Sequence, residues 1–197
     1  MESLSLAFSS GWASGVNAYL VVLVLGIADR VGDLEQVPDA LGRWEVLAVA
    51  AFMYAMEFVA DKIPYVDSTW DAVSTAIRPT VGAVIGVLLA GDADTLDQAV
   101  SGTVGGGTAL VSHLVKAGSR LAINASPEPV SNVVASLAED VAVLGVVWFA
   151  IEHPRAAAAV AAVFLAFGLV ILYFVAKLVR RGWRRWKGRG TTQPAAP

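Results

Sequence analysis

The sequence predicts an all-α, polytopic membrane helix bundle of about six spans. Three observations predict it. Hydrophobic residues make up 56% of the 197 residues and charged residues only 16%, against a usual charged share near ~25%. Mean hydropathy is +0.64. Apolar stretches recur at the ~20-residue length that crosses a bilayer as a helix, without the ten-residue alternation of barrel strands. This composition disfavours a disordered chain, a coiled coil and a nucleic-acid-binding domain, so no nucleic-acid partner is expected. With no cysteine, disulfides, thiolate metal sites and cysteine nucleophiles are excluded.

The expected spans follow in order. The first covers about 6–28 and includes AYLVVLVLGIA. No Lys or Arg precedes it and no clean cleavage site follows, which argues against a secretory signal peptide. The second covers about 44–62, the third about 70–90, and the fourth, glycine-rich at its start, about 98–122. The fifth covers about 132–151. The sixth, about 155–179, is the most lipid-soluble stretch. Residues 1–180 form one transmembrane domain, and 181–197 a basic tail ending in a disordered TTQPAAP.

Charge sets the expected orientation. Lys177, Arg180, Arg181, Arg184, Arg185, Lys187 and Arg189 are 7 of the 14 basic residues, so residues 1–176 carry a net −10. Basic flanks stay in the cytoplasm, and Trp183 and Trp186 suit the headgroup layer. Six spans then place both termini in the cytoplasm, with the acidic connections 29–43 and 91–97 outside.

Small residues form a second pattern. Ser10-Gly11-x-x-x-Gly15-x-x-Ala18 recurs as Ser101-Gly102-x-x-x-Gly106-x-x-Ala109. Three spans per half would make this a 3+3 inverted repeat of the transporter kind; chance recurrence is the competing reading. Gly11 with Gly15, Gly82 with Gly86, and Gly102 with Gly106 each clear one helix face for close approach. Packing within the monomer is favoured over a homo-oligomer interface. The first and fourth spans are expected to pack through Gly11, Gly15, Gly102 and Gly106. Asn17 is expected to bond across helices.

A polar constellation is the third pattern. Intramembrane charges cost at least ~2.5 kcal/mol each on insertion scales, so each needs a reason. Glu57 and Asp61 lie one turn apart, with Lys62 following. Arg78 precedes Pro79 and is expected to pair with Glu139 or Asp140. His113, Lys116 and Arg120 share one helix face. Ser68, with Asp71 completing a capping box, and Ser126, with Pro127 at the first helical position, or alternatively Ser131 after SPEP, are candidate helix caps. Helix starts beside Lys62, Arg78, Lys116, Arg120 and Asn124 would make an anion site for phosphate or carboxylate. Glu57, Asp61, His113, Glu139 and Asp140 would couple protons or form structural ion pairs. The plainer readings are snorkelling bases and ion pairs joining helices. No metal-ligand spacing, Walker A loop, H-E-x-x-H or G-x-S-x-G motif is present. No metal or other cofactor is expected.

The segments FVADKIPYVDSTWDAVSTAIRPTVGA (58–83), SGTVGGGTALVSHLVKAGSRLAINASPEPVSN (101–132) and SLAEDVAVL (136–144) carry a resemblance over about residues 5–175. The chain resembles a bacterial family of small integral membrane proteins known only as a domain of unknown function. The resemblance implies a bacterial inner-membrane location. It implies no activity or substrate, but it marks Asp61, Lys62, Pro64, Asp67, Trp70, Asp71, Arg78, Pro79, Asn124, Ser126, Pro127, Glu128, Pro129, Ser131, Asn132, Glu139 and Asp140 as motif positions. Several of these coincide with the polar constellation.

Three functions compete. The first is a transporter or flippase for an anionic or phosphorylated small molecule or lipid headgroup. The second is a non-catalytic scaffold or accessory subunit, using glycine faces for assembly and the basic tail for anionic membrane lipids. The third, least favoured, is a lipid-headgroup enzyme.

Overall fold

The computed structural model describes residues 2–32, 34, 36–63, 65–124 and 129–189, with side chains apart from those of 129 and 185–189. It contains six helices: α1 (Glu2–Gly32), α2 (Trp44–Ala60), α3 (Val66–Leu89), α4 (Thr95–Asn124), α5 (Pro129–Glu152) and α6 (Pro154–Arg189). No strand occurs among the described residues. Four helices are long and apolar enough to cross a membrane: α1, α3, α5 from Val130, and α6 to Arg184. The shorter α2 has 17 residues, about 25 Å of helix. The sixth helix runs through the tail boundary expected at 181, because KLVRRGWRRWKGR holds no proline and its Lys, Arg and Leu are good helix formers that outweigh Gly182 and Gly188.

The surface is apolar and the interior holds charge. Phe52, Val163, Phe167, Val170 and Phe174 are exposed, whereas Glu57, Asp67, Arg78 and His113 are fully buried. A soluble protein has the opposite distribution. Lipid is the solvent that makes this one stable, since it costs nothing to expose Val or Phe to it.

The first helix is not one straight rod. Asn17 has φ −152° and ψ 94°, outside the helical region. Both ends of α1 then lie at the same end of the bundle. Glu2 pairs with Arg155 at the start of α6 at 3.4 Å. Ile27, Val31 and Gly32 share a pocket with Trp148 and Glu152 at the end of α5. Residues 152 and 155 are separated only by the short break at His153. The chain therefore enters as α1a (2–16), reverses at Asn17, and returns as α1b (18–32). Each arm is about 22 Å long, too short for the ~30 Å hydrocarbon core.

This reversal corrects the expected topology. Glu2, residues 36–43, the 90–94 turn and His153 gather at one end, here the N-end. Residues 61–63 and the end of α6 lie at the other, the C-end. Glu2 and the end of α6 thus lie on opposite ends of the bundle, where six straight spans would place them at the same end. Nothing in the periodicity of 2–32 signals the reversal; the apolar run is continuous.

Glycine decides the packing. A methyl added at Gly11 would lie 2.5 Å from the Gly105 carbonyl oxygen, and one at Gly15 would strike Ala109 and Ser112. The first and fourth helices do pack closely, as expected. However, Gly102 and Gly106 face Val87, Ala83 and Pro79 of α3, and Gly105 is the residue that meets both Gly11 and Gly82. The contact Gly11–Gly105, Gly15–Ala109, Val16–Lys116 runs in register with both numbers rising. So α1a and α4 are parallel, and the two similar segments are not related by inversion.

Candidate functional site

A helix reversal inside lipid exposes the last carbonyls of one arm and the first N–H groups of the next, which water cannot satisfy there. Buried side chains satisfy them here. Arg78 Nη1 donates to the Gly15 carbonyl at 3.3 Å. Lys116 Nζ donates to the Val16 carbonyl at 3.0 Å. Ser112 Oγ donates to the Trp12 carbonyl at 2.8 Å. On the other arm, Asn17 Oδ1 accepts the Leu20 N–H at 3.0 Å, acting as an N-cap for α1b. Asn17 Nδ2 donates to Asp140 Oδ1 at 3.0 Å. Cations thus sit at the negative end of α1a, and a carboxylate sits beside the positive end of α1b, the arrangement helix dipoles favour.

The ion network extends from this tip toward the C-end. Arg78 pairs with Glu57 at 2.8 Å and Asp71 at 3.1 Å. Its expected pairing with Glu139 or Asp140 does not occur: Asp140 is taken by Asn17 and Tyr54, and Glu139 by Arg120 at 2.6 Å. Lys116 meets Asp61 at 2.9 Å and Glu57 at 3.4 Å. Arg120 also donates to Asn132 Oδ1 at 2.9 Å and to the Asp61 carbonyl at 3.0 Å. His113 Nδ1 lies 2.8 Å from Arg78 Nη1. Arginine only donates, so Nδ1 accepts and the ring proton sits on Nε2, 2.9 Å from Thr75 Oγ1.

The charges do not balance. Six carboxylates, Glu57, Asp61, Asp67, Asp71, Glu139 and Asp140, surround three buried cations, Arg78, Lys116 and Arg120. Half-buried Lys62 adds one more base; its Nζ lies over the Phe58 ring at 3.0 Å and 3.5 Å from Ser136 Oγ. With every group in its charged form, the carboxylates exceed these four bases by two among the described residues. Among the described residues, Glu57 Oε2, Asp61 Oδ1, Asp67 Oδ1 and Asp71 Oδ2 accept no hydrogen bond, and Asp71 Oδ1 has only its ion pair with Arg78. Among the described residues, no three His, Asp or Glu side chains are grouped to hold a metal ion.

Two expected helix caps take other roles. The third helix starts one turn earlier than a Ser68 cap requires, with Tyr65 at the cap position in a left-handed conformation (φ 72°). Ser68 Oγ instead accepts from Asn124 Nδ2 at 3.0 Å, alongside Asp67 Oδ2 at 2.8 Å. Asp71 faces Arg78 rather than completing a capping box. Ser126 and Pro127 lie outside the described residues. Tyr54, Ser112, Asp67, Asp71 and Asn132 join the network without having been singled out as site residues. The resemblance marks Asp67, Asp71 and Asn132 as motif positions, and Tyr54 and Ser112 carry no such mark.

A crevice of about 170 Å³ reaches this network from the bundle surface, lined by Trp12, Val16, Ser112, Val115, Lys116, Ser119, Glu139, Phe164 and Leu165. Glu139 is the one network carboxylate with a substantially accessible side chain, 23%.

No curated protein and no solved structure matches the chain. A family model described as a domain of unknown function, DUF4126, matches residues 4–173. That stretch contains the first helix from Leu4 onward, the reversal at Asn17 included, and every charged residue of the buried network. The chain, an apolar-surfaced membrane protein, belongs to the DUF4126 family.

Proposed function

We propose that this protein is a membrane transporter that handles protons at the tip of the α1 reversal. One observation carries the reading: six carboxylates against three buried cations at a break in a membrane-embedded helix. An uncompensated carboxylate in a low-dielectric interior is costly, and it recovers neutrality by taking a proton or a cation. Among the described residues no three acidic or His side chains are grouped for a metal, which favours the proton as neutraliser. Discontinuous helices meeting ionisable groups in mid-membrane are how many secondary transporters build coupling sites.

An anionic or phosphorylated ligand fits this site poorly. Arg78, Lys116 and Arg120 are each met by carboxylates, which leaves half-buried Lys62 as the one site cation without an ion pair among the described residues. A proton, or a cation exchanged for one, replaces the anion as transported species. The scaffold reading loses its glycine faces, since Gly11, Gly15, Gly82, Gly86, Gly102 and Gly106 all meet neighbours within the chain. The basic C-end of α6 belongs in the cytoplasm of a bacterial inner membrane, which puts Glu2 on the opposite side.

Purified protein in liposomes loaded with a pH-sensitive dye tests this. A potassium diffusion potential should drive proton entry above that of protein-free liposomes. Asp140→Asn and Glu57→Gln should lower the rate severalfold. Liposomes that stay as proton-tight as empty ones, with and without added small cations on one side, would rule the reading out.

A further inference from the structure

The sixth helix has 36 residues, about 54 Å of helix, well beyond a ~30 Å hydrocarbon core. Pro154 stands at the N-end, so Lys177 lies about 34 Å further along the axis, at the level of the opposite headgroups. From there Lys177, Arg180, Arg181 and Arg184 line a notch of about 310 Å³ with Tyr173 and Ala176. No Asp or Glu occurs anywhere after Glu152, so the helix itself supplies no counter-charge. We propose that this notch binds the phosphate group of one anionic phospholipid of the cytoplasmic leaflet.

The chemistry matches the depth. Three guanidinium groups and one ammonium within two helical turns suit a phosphodiester, since arginine forks bind phosphate oxygens in pairs. Tyr173, one turn toward the membrane from Lys177, has its ring 5.9 Å from Lys177 Nζ and is largely exposed. It gives the acyl-chain side of the lipid an apolar wall with a polar tip. Val170, about one turn deeper, and Phe174, beside it, are exposed as well. Free phosphate would use the basic groups but not this wall. The site is independent of the proton-handling reading, since it lies outside the buried network.

Native mass spectrometry of the full chain, released from micelles containing equal phosphatidylglycerol and phosphatidylcholine, reads the binding directly. One phosphatidylglycerol should be retained in preference. Arg180→Ala with Arg184→Ala should weaken retention about tenfold, about 1.4 kcal/mol, and Arg180→Lys with Arg184→Lys should weaken it partly, because lysine keeps charge but loses the fork. Arg155→Ala, at the other end of α6, should change nothing. Equal retention of both lipids, an equal loss in Arg155→Ala, or displacement of the lipid by inorganic phosphate at matching concentration would each overturn the site. Circular dichroism of the lysine variant guards against a folding artefact.

Discussion

The two ends of this bundle are cored by opposite chemistry. Toward the N-end, Leu20, Val21, Leu25, Ile85, Leu89, Val143 and Val147 pack into an apolar cluster. Toward the C-end, the space beyond the α1 reversal is filled by Glu57, Asp61, Asp67, Asp71, Arg78, Lys116 and Arg120. The apolar end tolerates approximate partners, since dispersion contacts are individually weak and non-directional. The charged end does not, since each buried ion needs specific partners. A short α1 explains why the charges are there: its arms stop at Asn17, and the broken backbone requires donors and acceptors at that depth. The surplus of carboxylates is what hairpin capping alone leaves unexplained.

The largest effect that can break this comparison is all-or-none. With single cysteines introduced in this cysteine-free chain, Ser3→Cys and Asp94→Cys should label from one side of the membrane and Gly182→Cys from the other. Labelling of positions 3 and 182 from the same side would restore six straight spans and remove the reversal.

Next in size is Arg78→Met. It strands Glu57 and Asp71 without their guanidinium and should cost about 3–5 kcal/mol. Leu25→Ala in the apolar cluster should cost less, near ~2 kcal/mol, the low end for a buried leucine, because the bilayer supplies no hydrophobic transfer penalty. Thermal unfolding in detergent ranks the two, and equal losses would mean the C-end is not specially demanding.

The glycine seam separates the ends more finely. Gly105→Leu should abolish close approach of α1a, α3 and α4, because even a methyl there strikes the Gly82 carbonyl. A methyl added at Gly107 or Gly145 meets nothing within 4 Å, so Gly107→Leu and Gly145→Leu should leave the melting temperature unchanged. A drop for Gly107→Leu would place that face against a second copy rather than lipid.

The smallest effect is Asn17→Ala. It removes the cap on Leu20 and the bond to Asp140 and should cost about 1–2 kcal/mol. Asp140→Asn should cost less than that, because it keeps the shape and removes one surplus charge. If Asp140→Asn proves the more damaging of the two, the Asp140 charge is structurally required and is not part of the surplus.

Much was determined by the sequence alone. Composition dictated an all-helical membrane bundle, since only helices or closed barrels satisfy backbone in lipid and no barrel alternation exists. Charges at Glu57, Asp61, Arg78, Lys116, Arg120, Glu139 and Asp140 stood out because each is expensive in an apolar run. Their pairing was not legible: Arg78 reaches Glu57 and Asp71, and Glu139 reaches Arg120. Partner choice depends on helix rotation and register, which periodicity of one helix does not specify. The glycine seam was legible as a pattern, but Gly105 as its crossing point was not, because helix order in space decides which face meets which. Least legible was the reversal at Asn17. A single asparagine in an apolar run reads as a polar contact. Only when Arg78, Lys116, Ser112 and Asp140 converge from three other helices does the backbone have enough partners to break there.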